Sequence, residues 1–306
     1  MRNIIIDCDP GHDDAIAILM AIANKDKLNI LGITTVGGNG LLDNVTKNAL
    51  KILSLVDENI PVASGARRPL IREIHTGTDF HGDSGMDGPI LEDPKYEIVS
   101  MNAVEFMYEK IKESTSKVTL VPLGPLTNIA LLLKTYPSIK EKIELISLMG
   151  GGINVGNRTA AAEFNIYVDP EAAKIVFNSG VDIVMAGLDV TNKAMIMDDE
   201  LEMLKNKGKI SNFVLELLEF YGKGSKEFGF EGSCLHDPCA IGYLLRSDLF
   251  KGKMYHVDIE TEGTITRGMT LADKRPVSER DKNVYVLLDL NRKEFVDYVC
   301  ECVTKV

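Results

Sequence analysis

Asp7-Cys8-Asp9-Pro10-Gly11-His12-Asp13-Asp14 follows directly on the apolar triplet Ile4-Ile5-Ile6. The triplet is short and β-branched, the mark of a buried strand. Pro10-Gly11 forces a turn. Beyond it Ile16, Leu19, Met20 and Ala23 fall at helical spacing. Strand, tight turn and helix make the first half of a βαβ unit. Side chains alternate along a strand, so Asp7 and Asp9 share a face, while Asp13 and Asp14 open the helix at its positive dipole end. Two carboxylates ~4 Å apart repel by about 4 kcal/mol at an effective dielectric near 20. A helix terminus returns only ~0.3–1 kcal/mol per charge. Protonation or a cation must supply the rest, and a hard divalent ion with oxygen ligands, Ca²⁺ or Mg²⁺ in type, is the economical answer. Capping accounts for Asp13 or Asp14 but leaves Asp7 and Asp9 unexplained. An EF-hand loop is excluded, because Ile18 holds the twelfth position counted from Asp7.

Working outward, β-branched runs at residues 3–8, 29–36, 61–63, 118–122, 143–149 and 182–186 alternate with helical patterns. Val45, Ala49, Ile52 and Leu53 form one further stripe, and residues 101–113, 126–134 and 170–178 are expected to be helices. Such alternation predicts an α/β fold: an open, mostly parallel, Rossmann-like sheet with helices on both faces. Ligands of such sheets bind at the carboxyl ends of the strands. Past residue 190 the pattern predicts a helix at 210–221, a glycine-containing loop at 222–232, a helix at 238–245, strands at 254–260 and 284–289, and a last helix at 293–303. No Pro/Ser-rich linker or internal repeat divides the chain, so residues 1–306 are expected to form one domain.

The 306 residues are 45% hydrophobic and 26% charged, and the net charge is −11. A chain this long buries a core without disulfides or metal. Its acid excess, with no basic cluster larger than pairs such as Arg67-Arg68, argues against a nucleic-acid partner, because that binding rests on phosphate neutralisation. No signal-type apolar segment follows Met1, and the apolar run at 15–23 is far shorter than the ~20 residues that span a bilayer. Five cysteines (Cys8, Cys234, Cys239, Cys300, Cys302) lack a framework spacing, which suits reduced thiols and a cytoplasmic location. Cys234, His236 and Cys239 lack the second pair that a zinc finger needs.

Other strand ends carry chemistry too. Val36-Gly37-Gly38-Asn39-Gly40 can bring the Asn39 amide to the acids. His81-Gly82-Asp83-Ser84-Gly85 lies in a polar, glycine-rich stretch, residues 76–88, that reads as a mobile loop. The bent segment Leu123-Gly124-Pro125 exposes carbonyls, Glu163-Phe164-Asn165 precedes the helix start at Asp169-Pro170, and His236-Asp237-Pro238 opens a late helix. Each alone is a turn residue, a cap or a surface histidine. Together they place acids and amides at several strand ends. A strand followed by D-x-D also opens the haloacid-dehalogenase-like phosphatases, which stay as one rival. A silent nucleoside-binding protein is the other.

With these segments in this order, the whole chain resembles the nucleoside hydrolase family, the inosine–uridine-preferring ribonucleoside hydrolases. The resemblance rests on D-x-D-P-G-x-D-D at 7–14, T-T-V-x-G-N at 34–39, L-T-N-I-A at 126–130, A-E-F-N at 162–165 and H-D-P at 236–238. It implies a Ca²⁺ held by Asp9, Asp14, the backbone carbonyl of Leu123 and Asp237. Family members often have threonine where Leu123 stands, a change that a main-chain ligand tolerates. The resemblance further implies that Asp13, Asn39, Asn157, Glu163 and Asn165 grip the ribose, that His81 and His236 face the base, and that Phe164 is part of the pocket wall. Hydrolysis of an N-glycosidic bond develops positive charge on the sugar, which carboxylates stabilise. Asp9 is then the expected general base on a cation-held water, and His236 the candidate acid for the leaving base. Uridine and inosine are the expected substrates, with a uridine/cytidine preference as the close alternative; residues 221–235, with Tyr221, Phe228 and Phe230, bear on that choice. The negative field of the expected site acids, Asp7, Asp9, Asp13, Asp14, Glu163 and Asp237, favours free nucleosides over nucleotides. A homodimer or homotetramer is implied by the same resemblance.

Overall fold

A computed structural model describes residues 1–306. Its centre is an eight-stranded sheet whose strands we number in chain order: β1 Arg2–Cys8, β2 Leu28–Thr35, β3 Val62–Ser64, β4 Val118–Pro122, β5 Ile143–Met149, β6 Ile183–Ala186, β7 Phe250–Tyr255 and β8 Val284–Leu290. Their spatial order is β3-β2-β1-β4-β5-β6-β8-β7. Every neighbouring pair is parallel except β8 with β7, an antiparallel edge. The order reverses between β1 and β4, so a crevice opens beyond Cys8 and Pro122, where such sheets bind ligands. The expected Rossmann-like architecture is observed.

Period-two alternation explains why β1 is central. Ile4, Ile6 and Cys8 pack into the apolar layer on one face and Ile5 into the layer on the other. Helix α1, His12–Ala23, is buried from His12 to Ile22, in keeping with a sequence apolar on nearly every side. It lies against two late helices, which we number α2, Pro238–Leu245, and α3, Arg292–Lys305. Asn24, at the end of α1, donates to the Met20 carbonyl at 2.9 Å and accepts from the Tyr298 hydroxyl of α3 at 2.9 Å. The C-terminal segment is thereby pinned to the first helix.

Two expectations need correction. The helix expected at 210–221 runs from Lys209 to Glu227, through half of the expected loop. Gly222 reads as a breaker, yet Lys223, Lys226 and Glu227 sustain the helix. A Cβ at Gly222 would stand 2.7 Å from Ser233 Oγ, so the glycine serves close packing. The strand expected at 254–260 is two: β7 ends at Tyr255, and Val257–Ile259 pairs instead with Thr270–Ala272 in a separate ribbon. Within the segment 76–88 the chain makes one helical turn, Thr78–His81, and the Gly77 amide donates to the Gly38 carbonyl at 3.0 Å.

Candidate active site

The β1–β4 crevice gathers the carboxylates in an order set by strand pairing. Asp7 is still inside the ladder, opposite Thr34 on one side and Pro122 on the other. Its Oδ1 accepts from Thr34 Oγ1 and, at 2.8 Å, from Asn128 Nδ2. Asp7 therefore ties β1 to β2 and to the helix Thr127–Thr135 that follows β4, and does not line the cavity beside them, a correction to its place among the expected site acids. Asp9 lies past the last β1–β2 pair and is free to turn inward.

Asp9 is wholly buried; its Oδ2 accepts from the Asn39 amide at 2.6 Å, and its Oδ1 has no partner. A Cβ at Gly38 would come within 2.0 Å of Asp9 Oδ2, and one at Gly124 within 2.3 Å of Oδ1. Two glycines thus make the slot that admits this carboxylate. Asp14 accepts from the amides of Asp9 at 3.2 Å and Gly11 at 2.9 Å, and from Asn39 Nδ2 at 3.1 Å. Asp13 accepts from the Asp237 amide at 3.3 Å. One oxygen each from Asp13, Asp14 and Asp237 falls within 4.8 Å of the others.

Burial pushes all of these acids upward. Asp13 and Asp14 rise to about 6, Asp14 with help from the Asp13 charge. Asp9 and Asp237 are pushed well above the usual carboxylate range, by burial first and then by neighbouring carboxylates. A carboxylate crowd with an orphaned oxygen and no lysine or arginine among its bonded partners suits a hard divalent cation: the donors are all oxygens, and a 2+ charge would let them ionise together. Asp13, Asp14 and Asp237 converge closely enough to share one ion, whereas Asp9, expected as a ligand with Asp14, Asp237 and the Leu123 carbonyl, is outside that triad. The Leu123 carbonyl already accepts from Asn165 Nδ2 at 2.7 Å and keeps a second lone pair.

A cavity of ≈ 280 Å³ opens above this cluster. Asp13, Asn39, His81, Leu123, Asn157, Glu163, Phe164, Asn165, His236 and Asp237 all line it. Of the residues expected in the site, Asp7, Asp9 and Asp14 do not line it. Glu163 caps a short helix, Phe164–Val168, by accepting from the amides of Asn165 at 2.9 Å and Ile166 at 3.1 Å, and it also accepts from Gly151 at 2.8 Å. Burial pushes Glu163 up to about 7. Asn157 accepts from the Phe164 amide at 2.9 Å, which fixes the aromatic ring's backbone at the cavity edge. Burial lowers His236 to about 4, and its Nδ1 lies 2.7 Å from Thr191 Oγ1. Burial thus favours the neutral form of His236, whose ring can offer an N–H or a lone pair.

Of the remaining lining residues, the sequence marks the region 221–235, with Tyr221, Phe228 and Phe230, as bearing on base choice, but sequence reasoning misses Phe80 and Arg158. Phe80, Arg158, Ser225 and Cys234 line this wall of the cavity, with Tyr221, Phe228 and Phe230. Phe80 and Phe228 pack with ring centroids 4.6 Å apart, and Arg158 reaches Asp79 at 3.7 Å across the rim. His12 lies beneath this wall, stacked on Phe220 at 5.1 Å and within 5.2 Å of His81. Burial lowers His12 to about 4, and lowers His81 well below its usual range with help from His12. A histidine at the first helical position, between Gly11 and Asp13-Asp14, was the only signal for His12.

Comparison with known proteins completes the description. A family model described as inosine-uridine preferring nucleoside hydrolase matches residues 4–297. A pyrimidine-specific ribonucleoside hydrolase RihA of Shewanella woodyi is 48% identical over 305 residues, covering 98% of this chain and 97% of its own. The protein of the same name from Photobacterium profundum is 49% identical, covering 98% of each chain. Among solved structures, a purine-preferring ribonucleoside hydrolase from Gardnerella vaginalis superposes with a TM-score of 0.93 at 30% identity, over 99% of this chain and 98% of the other.

Proposed function

This chain belongs to the inosine-uridine preferring nucleoside hydrolase family and hydrolyses the N-glycosidic bond of ribonucleosides, and from that premise we propose that it prefers pyrimidine ribonucleosides, uridine and cytidine, and works with a divalent cation, Ca²⁺ in type. The family assignment sets aside the phosphatase and silent-binder alternatives. Relatives at 48–49% identity are named pyrimidine-specific, whereas the purine-preferring solved structure stands at 30%. That difference moves uridine/cytidine ahead of the uridine/inosine pair expected from sequence.

The observation that carries the site assignment is the unpartnered Asp9 Oδ1 beside three converging carboxylates. A cation held by Asp9, Asp14, Asp237 and the Leu123 carbonyl would acidify and orient a water. Asp9 is the general base: the Asn39 amide fixes its Oδ2, and its free Oδ1 takes the proton. Asp13 and Glu163 present negative charge to a sugar that becomes cationic as the C1′–N bond breaks. Asn157, Asn165 and Phe164 orient the ribose, and Asn39 holds Asp9 and Asp14 in register. His236 hydrogen-bonds the leaving base; its structural alternative is to fix the start of α2, which carries Asp237.

We read residues 1–306 as one domain, because a single sheet takes strands from Arg2–Cys8 to Val284–Leu290. All five cysteines are free and buried, which supports a reducing, cytoplasmic setting. No helix is long and apolar enough to cross a membrane. Exposed apolar residues such as Ile71, Ile265 and Val277 suit a homodimer or homotetramer, which sedimentation would resolve.

Ribose release from uridine, cytidine, inosine, adenosine and guanosine, measured side by side, tests the preference. We expect kcat/KM for uridine and cytidine to exceed that for inosine by about 100-fold, the discrimination available to one well-shaped pocket. Equal values overturn the pyrimidine reading. For His236→Ala, lost turnover of uridine with retained turnover of p-nitrophenyl riboside identifies leaving-group assistance. Equal loss on both identifies positioning of Asp237.

A further inference from the structure

His12 and His81 share one short contact whose hydrogen can be placed by elimination. Their Nδ1 atoms lie 3.0 Å apart, and His12 Nε2 lies 2.7 Å from the Asp87 carbonyl oxygen. A carbonyl oxygen only accepts, so His12 Nε2 carries a hydrogen. In a neutral imidazole the other nitrogen is then an acceptor without a hydrogen. The Nδ1···Nδ1 contact still needs a hydrogen, and only His81 Nδ1 can supply it. That leaves His81 Nε2 as a lone pair. His81 lines the cavity, and Nδ1 is its one ring nitrogen with a partner inside the protein.

Two further observations bear on this assignment. The His12 amide also approaches His81 Nδ1, which would ask for the opposite tautomer. It does so at 3.5 Å, beyond the normal hydrogen-bond range, and yields to the 3.0 Å contact. The rings sit among aromatic neighbours, His12 at 5.1 Å from Phe220 and 5.5 Å from Tyr221, and His81 at 5.6 Å from Tyr221. Such surroundings disfavour a charged imidazole.

We propose that His12 is a positioning residue that sets the tautomer of His81, so that His81 Nε2 presents a hydrogen-bond acceptor to the cavity and selects bases with an N–H on the edge that meets it. The imide N3–H of uracil and the amino group of cytosine are of this kind. The proposal deepens the ribonucleoside-hydrolase reading and rests on it.

Ring-nitrogen NMR of the full chain labelled with ¹⁵N-histidine, with His81 assigned from the His81→Gln variant, reads the tautomer directly. We expect a protonated Nδ1 and an unprotonated Nε2 on His81. In His12→Phe, which keeps the ring stack and removes the acceptor, His81 is expected to move to the other tautomer or to a mixture. Kinetics give the second readout. Wild-type kcat/KM for 3-methyluridine, which lacks the N3–H, should fall at least about 10-fold below that for uridine, the effect of one lost hydrogen bond in a site built to make it. In His12→Phe that ratio should approach 1, whereas a packing role alone would lower both substrates equally. A protonated His81 Nε2 in the wild type overturns the proposal. So does discrimination that survives His12→Phe. If His12→Phe does not fold, the wild-type spectrum and the wild-type substrate ratio decide by the same criteria. Absence of ribose release from uridine would instead defeat the ribonucleoside reading, and the NMR result would still stand or fall by itself.

Discussion

The floor of the cavity and its aromatic wall solve opposite physical problems. Below, Asp9, Asp13, Asp14 and Asp237 are buried like charges fixed by main-chain amides and by Asn39. Phe80, Tyr221 and Phe228 also line the cavity and offer apolar surface, with His81 on the lining beside them and His12 packed against His81. The floor stores electrostatic tension that a cation would relieve. The wall stores none, and its rings can exchange contacts at little cost. Catalytic loss should therefore concentrate in the floor and selectivity in the wall.

The largest expected effect is Asp9→Ala. Removal of the general base should lower kcat by at least about 10³-fold, within the span general-base catalysis supplies, with the circular dichroism unchanged. Near-normal turnover would sink the mechanism. Chelation of divalent ions comes next: activity should vanish and return with Ca²⁺, and the melting temperature should rise on Ca²⁺ addition. Without the ion, pH should act in an unusual direction. Asp13, Asp14 and Glu163 titrate at about 6, about 6 and about 7 in the fold, above the ~3.9–4.3 of unfolded carboxyls. Asp7 rises to about 7, and Asp9 and Asp237 are pushed well above the usual range. These raised acids outnumber the three histidines His12, His81 and His236, which burial lowers and which act in the opposite sense. The folded chain then binds more protons than the unfolded one between pH ~4 and 7. Stability falls as pH rises through that window. The ion-free protein should melt higher at pH 5 than at pH 7.5, and Ca²⁺ should narrow or reverse the difference. A lower melting point at pH 5 without the ion would deny that the floor is strained.

A smaller effect is expected from Gly124→Ala. Its new methyl would press on Asp9 Oδ1, costing about 1–3 kcal/mol of stability and most of the activity. Phe228→Ala should do least. The residue is 62% exposed, so the melting temperature should hold. Lost stacking should raise KM for uridine by roughly 5-fold, near the lower end for base–aromatic contacts, with kcat kept. A large fall in kcat from Phe228→Ala would erase the distinction between floor and wall.

The same division governs what could be read from sequence. Strand, turn and helix start lie within residues 4–14, so the parallel fold and most floor residues were legible from local periodicity. Asp7 misled, because alternation gives the face of a side chain and not whether the ladder continues on both sides of it. The wall is assembled from residues distant in sequence: Phe80 from an isolated turn, Tyr221 and Phe228 from a helix and its end. No spacing rule links these. Gly222 hid the helix extension, since close packing against Ser233 and helix breaking look alike in a string of letters. His12 was in view throughout, but its role depends on a hydrogen passed to residue 81.

The packing of α1 against α2 and α3 bears on how the chain is made. Residues 12–22 carry the start of the active site and bury almost every side chain, yet the helices that cover them span 238–245 and 292–305. During synthesis this apolar helix waits, uncovered on that side, until nearly the last residue has emerged. Contacts so far apart in sequence close slowly and leave apolar surface exposed to aggregation meanwhile. Yield in the cell should thus depend on chaperone supply and translation speed, and the first helix to be made is the last to be sheltered.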